Sequence, residues 1–301
     1  MRIFQGTLMP PCVYQGSKQR FVETISNIIE ENEIAGGEKF VFYDLCCGSG
    51  CISLEMVCRG YPVIMVDKGE FGKVWEAIGK QEFSLVELRN EIDKIPSIEK
   101  MQGYFTNLSK QEIDKEKQVY QYLLLQAATF GGKQIWIQDG KWKNASFRGY
   151  WHPTETSNRR STINPMMPMP ETIYKRMEDI VKIASKHMTG YNIDIFEAVE
   201  IIKRDKRRKV IYIDPPYKNT TGYVGKFDIF EVIEELKGEH LYISESFGFT
   251  GIEGCTVKKL ADSRKKGNIS GNLKNGGIDE VLNIIAPIEE KSTEDKIRDW
   301  L

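Results

Sequence analysis

The fold is decided by residues 39–50, which read KFVFYDLCCGSG. The apolar residues that open this stretch predict a buried strand, and the closely spaced glycines at its end predict a tight turn that leads into a helix over residues 52–59. A second apolar run, YPVIMV at residues 61–66, ends at Asp67 and predicts the next strand. Together these segments predict a βαβ unit, the building block of a parallel sheet.

Later segments continue this alternation of helices and strands. We expect a helix over residues 171–187 and a shorter one over residues 230–236. Buried strands are predicted at VIYI (210–213), LYIS (241–244) and VLNII (281–285). The chain is therefore expected to have an α/β fold, with a mixed, mostly parallel sheet and helices on both faces.

The segment over residues 75–168 breaks this pattern. It contains polar helical stretches, then a basic and aromatic stretch rich in glycine, and it leads into PMMPMP at residues 165–170. We predict an inserted domain over residues 75–168, with the α/β domain formed by residues 1–74 and 169–301.

The composition of the 301-residue chain is that of an ordinary folded protein. Hydrophobic residues make up 41% and charged residues 28%, which argues against a disordered or fibrous chain. Because the formal net charge is −1, any surface that binds a polyanion must be local. The sequence shows neither a signal pattern nor a long unbroken apolar run, so we expect a cytoplasmic protein that does not enter a membrane.

The six cysteines do not suit a disulfide framework, because four of them crowd between residues 46 and 58. We expect reduced thiols. A zinc site is the alternative, but the C-x2-C spacing of common zinc sites is absent and the chain has only three histidines. We therefore interpret the cysteines as small buried residues and expect no metal.

The glycine turn has the residues expected at a nucleoside-binding site. In open α/β sheets a ligand lies at the carboxyl ends of the strands, where a glycine turn lets the backbone approach it and an acid after the next strand binds the ribose. Gly48 and Gly50 match the turn, and Asp67 follows about 20 residues later. Ser53 stands where a dinucleotide-binding motif has its third glycine, and no P-loop pattern is present. Taken alone, this motif is equally compatible with a turn that only reverses the chain.

The tetrapeptide Asp214-Pro215-Pro216-Tyr217 directly follows the predicted strand at residues 210–213. It places a carboxylate, a backbone carbonyl and an aromatic ring in one rigid loop, because proline fixes φ. This combination suits a planar amine such as the amino group of adenine, whose N–H bonds need acceptors while the nitrogen becomes tetrahedral. Asp214 and the Pro215 carbonyl can accept these hydrogen bonds, and Tyr217 can stack on the base.

With these residues the sequence resembles the Dam-like, or alpha-class, adenine-N6 DNA methyltransferases, whose catalytic signature is D-P-P-Y after a strand. The similarity continues in YQGSK at residues 14–18, in YDLCCGSG at residues 43–50 and in NIDIF at residues 192–196. The chain departs from the family at Ser17, where a glycine is usual. The resemblance implies a Rossmann-like S-adenosylmethionine-dependent methyltransferase fold with an inserted DNA-recognition domain.

The resemblance also implies roles for individual residues. S-adenosylmethionine would be the methyl donor and double-stranded DNA the substrate. The implied catalytic residues are Asp214, Pro215, Pro216 and Tyr217. The implied cofactor-binding residues are Tyr14, Lys18, Asp44, Cys46, Gly48, Gly50, Asp67, Asp194 and Asp214. The family usually has Glu-Pro-Phe where this chain reads Asp44-Leu45-Cys46, a difference that bears on the subclass and not on the cofactor.

A DNA-reading hairpin is expected between residues 129 and 160, where the resembled family places one. Six lysines and arginines lie there among aromatic residues, against two acids, and the alternation around Asp139-Gly140 predicts a β-hairpin that can enter a DNA groove. Lysines would contact phosphates, while an amide or guanidinium would read base edges. The candidate DNA-binding residues are Lys133, Trp136, Lys141, Asn144 and Arg148. A solvated hairpin with its tryptophans packed beneath it is the alternative.

These motifs lead us to expect a site-specific DNA adenine-N6 methyltransferase that flips its target adenine into the pocket and transfers the methyl group directly to N6. The alternatives are a methyltransferase that acts on guanine N2 or adenine N6 of RNA, one that acts on cytosine N4, and a catalytically silent DNA-binding protein. YQGSK upstream of the glycine turn and the long insertion before Asp214 favour the DNA class. A cognate restriction endonuclease can accompany such an enzyme as a separate protein.

Overall fold

A computed structural model of the chain describes residues 6–34, 39–96, 100–129, 132–147, 169–216, 227–261 and 280–287. The strands are Val41–Leu45 (β1), Val63–Val66 (β2), Trp136–Gln138 (β3), Lys141–Lys143 (β4), Met188–Tyr191 (β5), Lys209–Ile213 (β6), His240–Glu245 (β7), Cys255–Ala261 (β8) and Glu280–Ile285 (β9). The α-helices are Val22–Glu33 (α1), Cys51–Cys58 (α2), Glu70–Gly79 (α3), Leu85–Asp93 (α4), Met101–Leu108 (α5), Gln118–Ala128 (α6), Pro170–Ile183 (α7), Ile195–Arg204 (α8) and Ile229–Glu235 (α9).

Seven of the strands form one sheet in the order β5-β2-β1-β6-β7-β9-β8. Neighbouring strands pair in parallel as far as β7, and β9 runs antiparallel to both β7 and β8. The chain order reverses at β1, which lies between β2 and β6. The carboxyl ends of these three strands therefore meet at the position where open α/β sheets bind ligands. The predicted mixed, mostly parallel α/β sheet is confirmed.

The sheet is buried on both faces, which explains why its inner strands read as continuous apolar runs. Successive side chains point to opposite faces, so Phe42 joins the hydrophobic cluster on one face while Tyr43 joins the cluster on the other. Helices α1, α2 and α7 pack on the first face, and α8 and α9 pack on the second. The predicted helices over residues 171–187 and 230–236 correspond to α7 with its short 3-10 extension Ala184–Lys186, and to α9.

The segment predicted as an inserted domain shares the core of the first face. Helix α3 crosses the predicted boundary at residue 75, and Trp75 is fully buried. Phe105 of α5 and Leu123 of α6 belong to the same hydrophobic cluster as Ile173 of α7. The division into two domains therefore stays a prediction, and α3 shows that the main sheet and the inserted segment are continuous at that boundary.

The predicted β-hairpin is confirmed as β3 and β4, which pair antiparallel. Asp139 and Gly140 have φ values of 54° and 68°, the positive φ that a two-residue type I′ turn requires. Trp142 is buried and stacks on Tyr122 of α6, with ring centroids 6.2 Å apart. The hairpin is thus held against the helical layer by one of its tryptophans.

Three general features bear on what the sequence predicts. No helix in the described ranges is both long and apolar enough to cross a bilayer. The six cysteines are free thiols. Among the residues that the structure describes, no three His, Cys, Asp or Glu side chains come together as a group that could hold a metal ion.

Candidate active site

The glycine turn after β1 adopts a conformation that its sequence makes possible. Gly48 and Gly50 have φ values of 49° and 73°, in the left-handed region that glycine enters without a steric penalty. A Cβ built on Gly50 would lie 2.5 Å from the Met65 methyl carbon and 2.9 Å from the Trp75 ring. The Trp75 indole N–H donates a hydrogen bond to the Gly48 carbonyl at 2.7 Å and so fixes the turn.

Asp67, at the end of β2, joins two loops beneath the site. Its carboxylate accepts hydrogen bonds from the backbone N–H of Gly48 at 2.8 Å and of Gly69 at 2.7 Å. The Asn192 amide donates to the carbonyls of Asp67 and Gly69, both at 2.9 Å, which ties in the loop after β5. Burial raises the pKa of Asp67, while the two backbone donors oppose that rise. Each carboxylate oxygen keeps a lone pair for a ligand hydroxyl.

A cleft opens at the carboxyl ends of β1, β2 and β6. Its empty space, measured out to its open mouth, is about 800 Å³. Six residues that the sequence predicted for the site line it: Tyr14, Cys46, Asp67, Asp194, Asp214 and Pro216. Apolar side chains complete the wall, among them Ile193, Phe196 and Phe227. The cleft thus combines an apolar slot with carboxylates, as a nucleoside site requires.

Buried Lys18 and partly buried Asp214 form an ion pair at the edge of this cleft. The Lys18 ammonium lies 2.5 Å from Oδ1 of Asp214 and 3.4 Å from the Glu280 carboxylate. Burial raises the pKa of Asp214 from 3.8 to about 6, against the lowering effect of Lys18. Burial would lower the pKa of Lys18, but the attraction of Asp214 and Glu280 outweighs it and raises that pKa. Lys18 is therefore a fixed cation that orients the Asp214 carboxylate.

Asp44, in β1, lies buried beneath the turn with one unsatisfied oxygen. Its Oδ2 accepts a hydrogen bond from the Ser53 hydroxyl at 2.6 Å. Its Oδ1 has no hydrogen-bond partner among the described residues. Burial raises the pKa of Asp44 to about 7, and the nearby carboxylate of Asp214 adds to this rise. A cation bound in the cleft would relieve the cost of burying this charge.

Asp194 lies at the far side of the cleft and begins α8. Its carboxylate accepts a hydrogen bond from the Phe196 N–H at 3.0 Å, which caps the helix. It also pairs with Lys68 at 2.7 Å. The Asp194 side chain therefore has structural partners as well as a place in the cleft wall.

A comparison with protein families explains why these features occur together. The family model of the D12 class N6 adenine-specific DNA methyltransferases matches residues 14–246, which is more than half of the chain. The chain belongs to this family. It is therefore a DNA methyltransferase that acts on N6 of adenine. A comparison with curated proteins gave no match.

The remaining predicted residues of the methyltransferase fall into three groups. Some are next to residues of the cleft wall. Lys18 donates a hydrogen bond to Asp214, and the Gly48 N–H donates one to Asp67. Pro215 is buried and lies between Asp214 and Pro216 in the chain. Others lie on or beside the hairpin, where Lys133, Lys141 and Asn144 are exposed and Trp136 is half-buried. Tyr217 and Arg148 lie outside the described residues.

Several residues of the cleft wall were not predicted. Gln134 comes from the strand-flanking segment before the hairpin, and Phe227 precedes α9. Phe196 ends the NIDIF segment at residues 192–196, but the sequence did not single it out as a site residue, and it is 37% exposed. Gln134 and Phe227 carry no motif that distinguishes them from ordinary polar or core residues, so only the three-dimensional arrangement reveals them.

Proposed function

We propose that the cleft binds S-adenosylmethionine and that Asp214 and the Pro215 carbonyl hold the amino group of a target adenine for direct transfer to N6. The observation that carries this proposal is that Asp67 and Asp214 line the same cleft. One is the acid expected to bind a ribose, and the other is the carboxylate of the D-P-P-Y loop. A nucleoside donor and an acceptor amine would thus meet within one cavity.

The residues present fit a cationic nucleoside. The carboxylates of Asp44, Asp67 and Asp214 all lie at this end of the sheet, and Oδ1 of Asp44 is buried without a partner within the described ranges. Gly48 offers no side chain, and a Cβ there would lie 2.8 Å from the Tyr14 ring. Asp67 would hold the ribose, with Ile193 and Phe196 against the adenine ring. S-adenosylmethionine, when bound, would supply an electrophilic methyl group on a positively charged sulfur.

The catalytic loop would act on the acceptor through hydrogen bonds. The Asp214 carboxylate accepts one N6–H bond and the Pro215 carbonyl accepts the other, so the nitrogen lone pair turns away from the ring and toward the methyl donor. Asp214 is also the base that takes up the proton that N6 loses. Lys18 keeps the carboxylate in place throughout. Stacking of Tyr217 on the base remains a sequence prediction.

DNA would approach from the side that carries the hairpin. The target adenine must leave the base stack to reach Asp214, because N6 is paired inside the duplex. Exposed Lys133 and Lys141 suit phosphate contacts, while Asn144, Trp136 and Arg148 are the proposed groove contacts. The inserted segment over residues 75–168 would in this way serve target recognition.

The test is to incubate the purified chain with unmodified double-stranded DNA and S-adenosylmethionine labelled in the methyl group, and then to digest the product to nucleosides. We expect the label in N6-methyldeoxyadenosine. Label in another deoxynucleoside, label only in added RNA, or no transfer to DNA of varied sequence would contradict the proposal.

A further inference from the structure

Gln134 is a buried cleft residue with an unsatisfied polar atom. Its side chain is only 6% exposed and lines the same cleft as Asp67 and Asp214. Its Oε1 has no hydrogen-bond partner in the part of the chain that the structure describes. Buried side-chain oxygens nearly always have a partner, and an unpaired one destabilises the folded state. Gln134 therefore brings to the cleft wall an amide whose hydrogen-bonding capacity the described residues leave partly unused.

The position of the Gln134 amide shows which end of the cleft it serves. A Cβ built on Gly69 would lie 3.2 Å from Nε2 of Gln134 and 2.9 Å from Oδ1 of Asp67. The amide and the Asp67 carboxylate therefore converge on one point beside Gly69. Because Asp67 is the proposed ribose-binding acid, Gln134 faces the nucleoside end and not the methyl-transfer end.

We propose that the side-chain amide of Gln134 hydrogen-bonds the nucleoside part of the methyl donor and so makes the base of the DNA-reading hairpin a wall of the cofactor site. The inference rests on the proposed function of the cleft. An amide offers both an acceptor and donors, and either suits a ribose hydroxyl or a polar edge of adenine.

The backbone at Gln134 links this contact to the hairpin. Its carbonyl accepts a hydrogen bond from the Asn144 side chain at 2.7 Å, so the residues that flank β3 and β4 are joined. The next residue, Ile135, is fully buried and donates its N–H to the side chain of Gln126 in α6 at 3.1 Å. The backbone at Gln134 is therefore held on both sides, which fixes the position from which its side chain reaches the cleft.

The test uses the full chain and S-adenosylhomocysteine, the product nucleoside, with its affinity measured by isothermal titration calorimetry. Gln134→Met keeps the length of the side chain but removes the amide, and we expect its dissociation constant to rise about three- to tenfold, the effect of removing one hydrogen bond. Gln138→Met is the matched control, since Gln138 is exposed near the hairpin turn, and we expect a change of less than about twofold.

Thermal unfolding of the ligand-free protein separates binding from a structural role. Removing a buried amide whose Oε1 has no partner among the described residues should leave the Tm of Gln134→Met unchanged or higher, whereas substitution of a residue that only supports the hairpin would lower the Tm. Gln134→Leu is the second variant, in case methionine does not pack. Competition with adenosine and with methionine shows which part of the ligand Gln134 contacts. The Gln134 substitutions should weaken the binding of adenosine and leave that of methionine unchanged.

Two outcomes distinguish the inference from the proposed function. Unchanged affinity in folded Gln134→Met and Gln134→Leu, or a lowered Tm with unchanged affinity, would overturn the inference alone. Failure of the unsubstituted chain to bind S-adenosylhomocysteine would overturn the proposed function and the inference together.

Discussion

At the scale of single residues, the end of the sheet that holds the cleft carries carboxylates that are costly to ionise where they lie. Asp44 is 1% exposed, and Asp214 has its charge offset by Lys18. Burial raises the pKa of Asp44 to about 7 and that of Asp214 to about 6. Perturbed carboxylates in a cleft are typical of functional sites, because a bound cation or a reacting amine can use them.

The pKa of Asp214 predicts an acidic limb in the activity profile. Asp214 must be ionised to accept an N6–H bond, so kcat/KM should fall about tenfold per pH unit below a pH of about 6. Lys18→Gln removes the cation that lowers this pKa, so the limb should move to higher pH. Lys237→Gln, at an exposed lysine just after α9, is the control and should leave the limb in place. Limbs at the same pH in all three proteins would show that Asp214 does not control the rate.

Asp44→Asn should stabilise the ligand-free protein while weakening donor binding. The folded-state pKa of about 7 lies above the ordinary value of 3.8, so the folded chain holds more protons than the unfolded chain between these values, and stability falls as pH rises through that window. Because asparagine cannot ionise, Asp44→Asn should raise the free energy of unfolding at pH 8 by at most about 4 kcal/mol, which corresponds to a pKa difference of about three units between the folded and unfolded chain.

Differential scanning calorimetry at pH 4 and pH 8 checks this expectation. The Tm difference between Asp44→Asn and the unsubstituted chain should be larger at pH 8. Asp93→Asn, at an exposed aspartate that ends α4, serves as the control and should show no such trend. A Tm difference for Asp44→Asn that does not change with pH would refute the assigned pKa.

Sequence patterns predicted several residues that line the candidate cleft or support it, because the patterns rest on residue types with a fixed spacing. Gly48, Gly50, Asp67 and Asp214 each follow a strand, and the parallel sheet brings strand ends together. Gln134 could not be found in this way, because its place in the cleft depends on how the hairpin base packs against the loop at Gly69. A glutamine in a polar segment carries no signal of that contact.

At the scale of elements, the contact between α3 and β5 shows how closely the sheet edge is packed. A Cβ on Gly190 of β5 would lie 2.1 Å from the Trp75 carbonyl oxygen. Gly190→Ala should therefore destabilise the protein by roughly 3 kcal/mol, because backbone and not a flexible side chain stands in the way. In α5, Gly103 has open space around its Cβ position, and Gly103→Ala should stabilise by roughly 0.5–1 kcal/mol.

Denaturant unfolding of these two glycine variants gives the comparison directly. Opposite signs of the change in unfolding free energy are expected. Equal effects would mean that α3 does not pack on β5 as described.

Among the strands of the main sheet, sequence patterns missed the two at its edges. β5 reads MTGY, and its apolar signal is short and interrupted by the glycine that α3 requires. β8 reads CTVKKLA, whose two lysines suit an edge strand that is open to water on one side. The central strands were recognised because burial on both faces demands an unbroken apolar run, and an edge strand escapes that demand.

At the scale of the whole molecule, binding of a polyanion must rely on local charge, since the net charge is −1. The double variant Lys133→Ala, Lys141→Ala should weaken DNA binding similarly for all sequences. The slope of the logarithm of the binding constant against the logarithm of the salt concentration should become shallower by about 0.9 for each phosphate that a lysine no longer neutralises. Fluorescence anisotropy at several salt concentrations measures both effects. Lys237→Ala is the control, and an equal weakening there would place the DNA surface elsewhere.

Asp214 is proposed to hold the adenine amine for methyl transfer, and S-adenosylhomocysteine, whose sulfur carries no charge, should bind without the Asp214 carboxylate. A single-turnover assay of Asp214→Ala with saturating donor and DNA tests this proposal most directly, with S-adenosylhomocysteine affinity measured on the same preparation. We expect methyl transfer to fall at least about a hundredfold, the effect of a missing catalytic group, while the affinity for S-adenosylhomocysteine stays within about threefold. Methyl transfer at nearly the unsubstituted rate would contradict it.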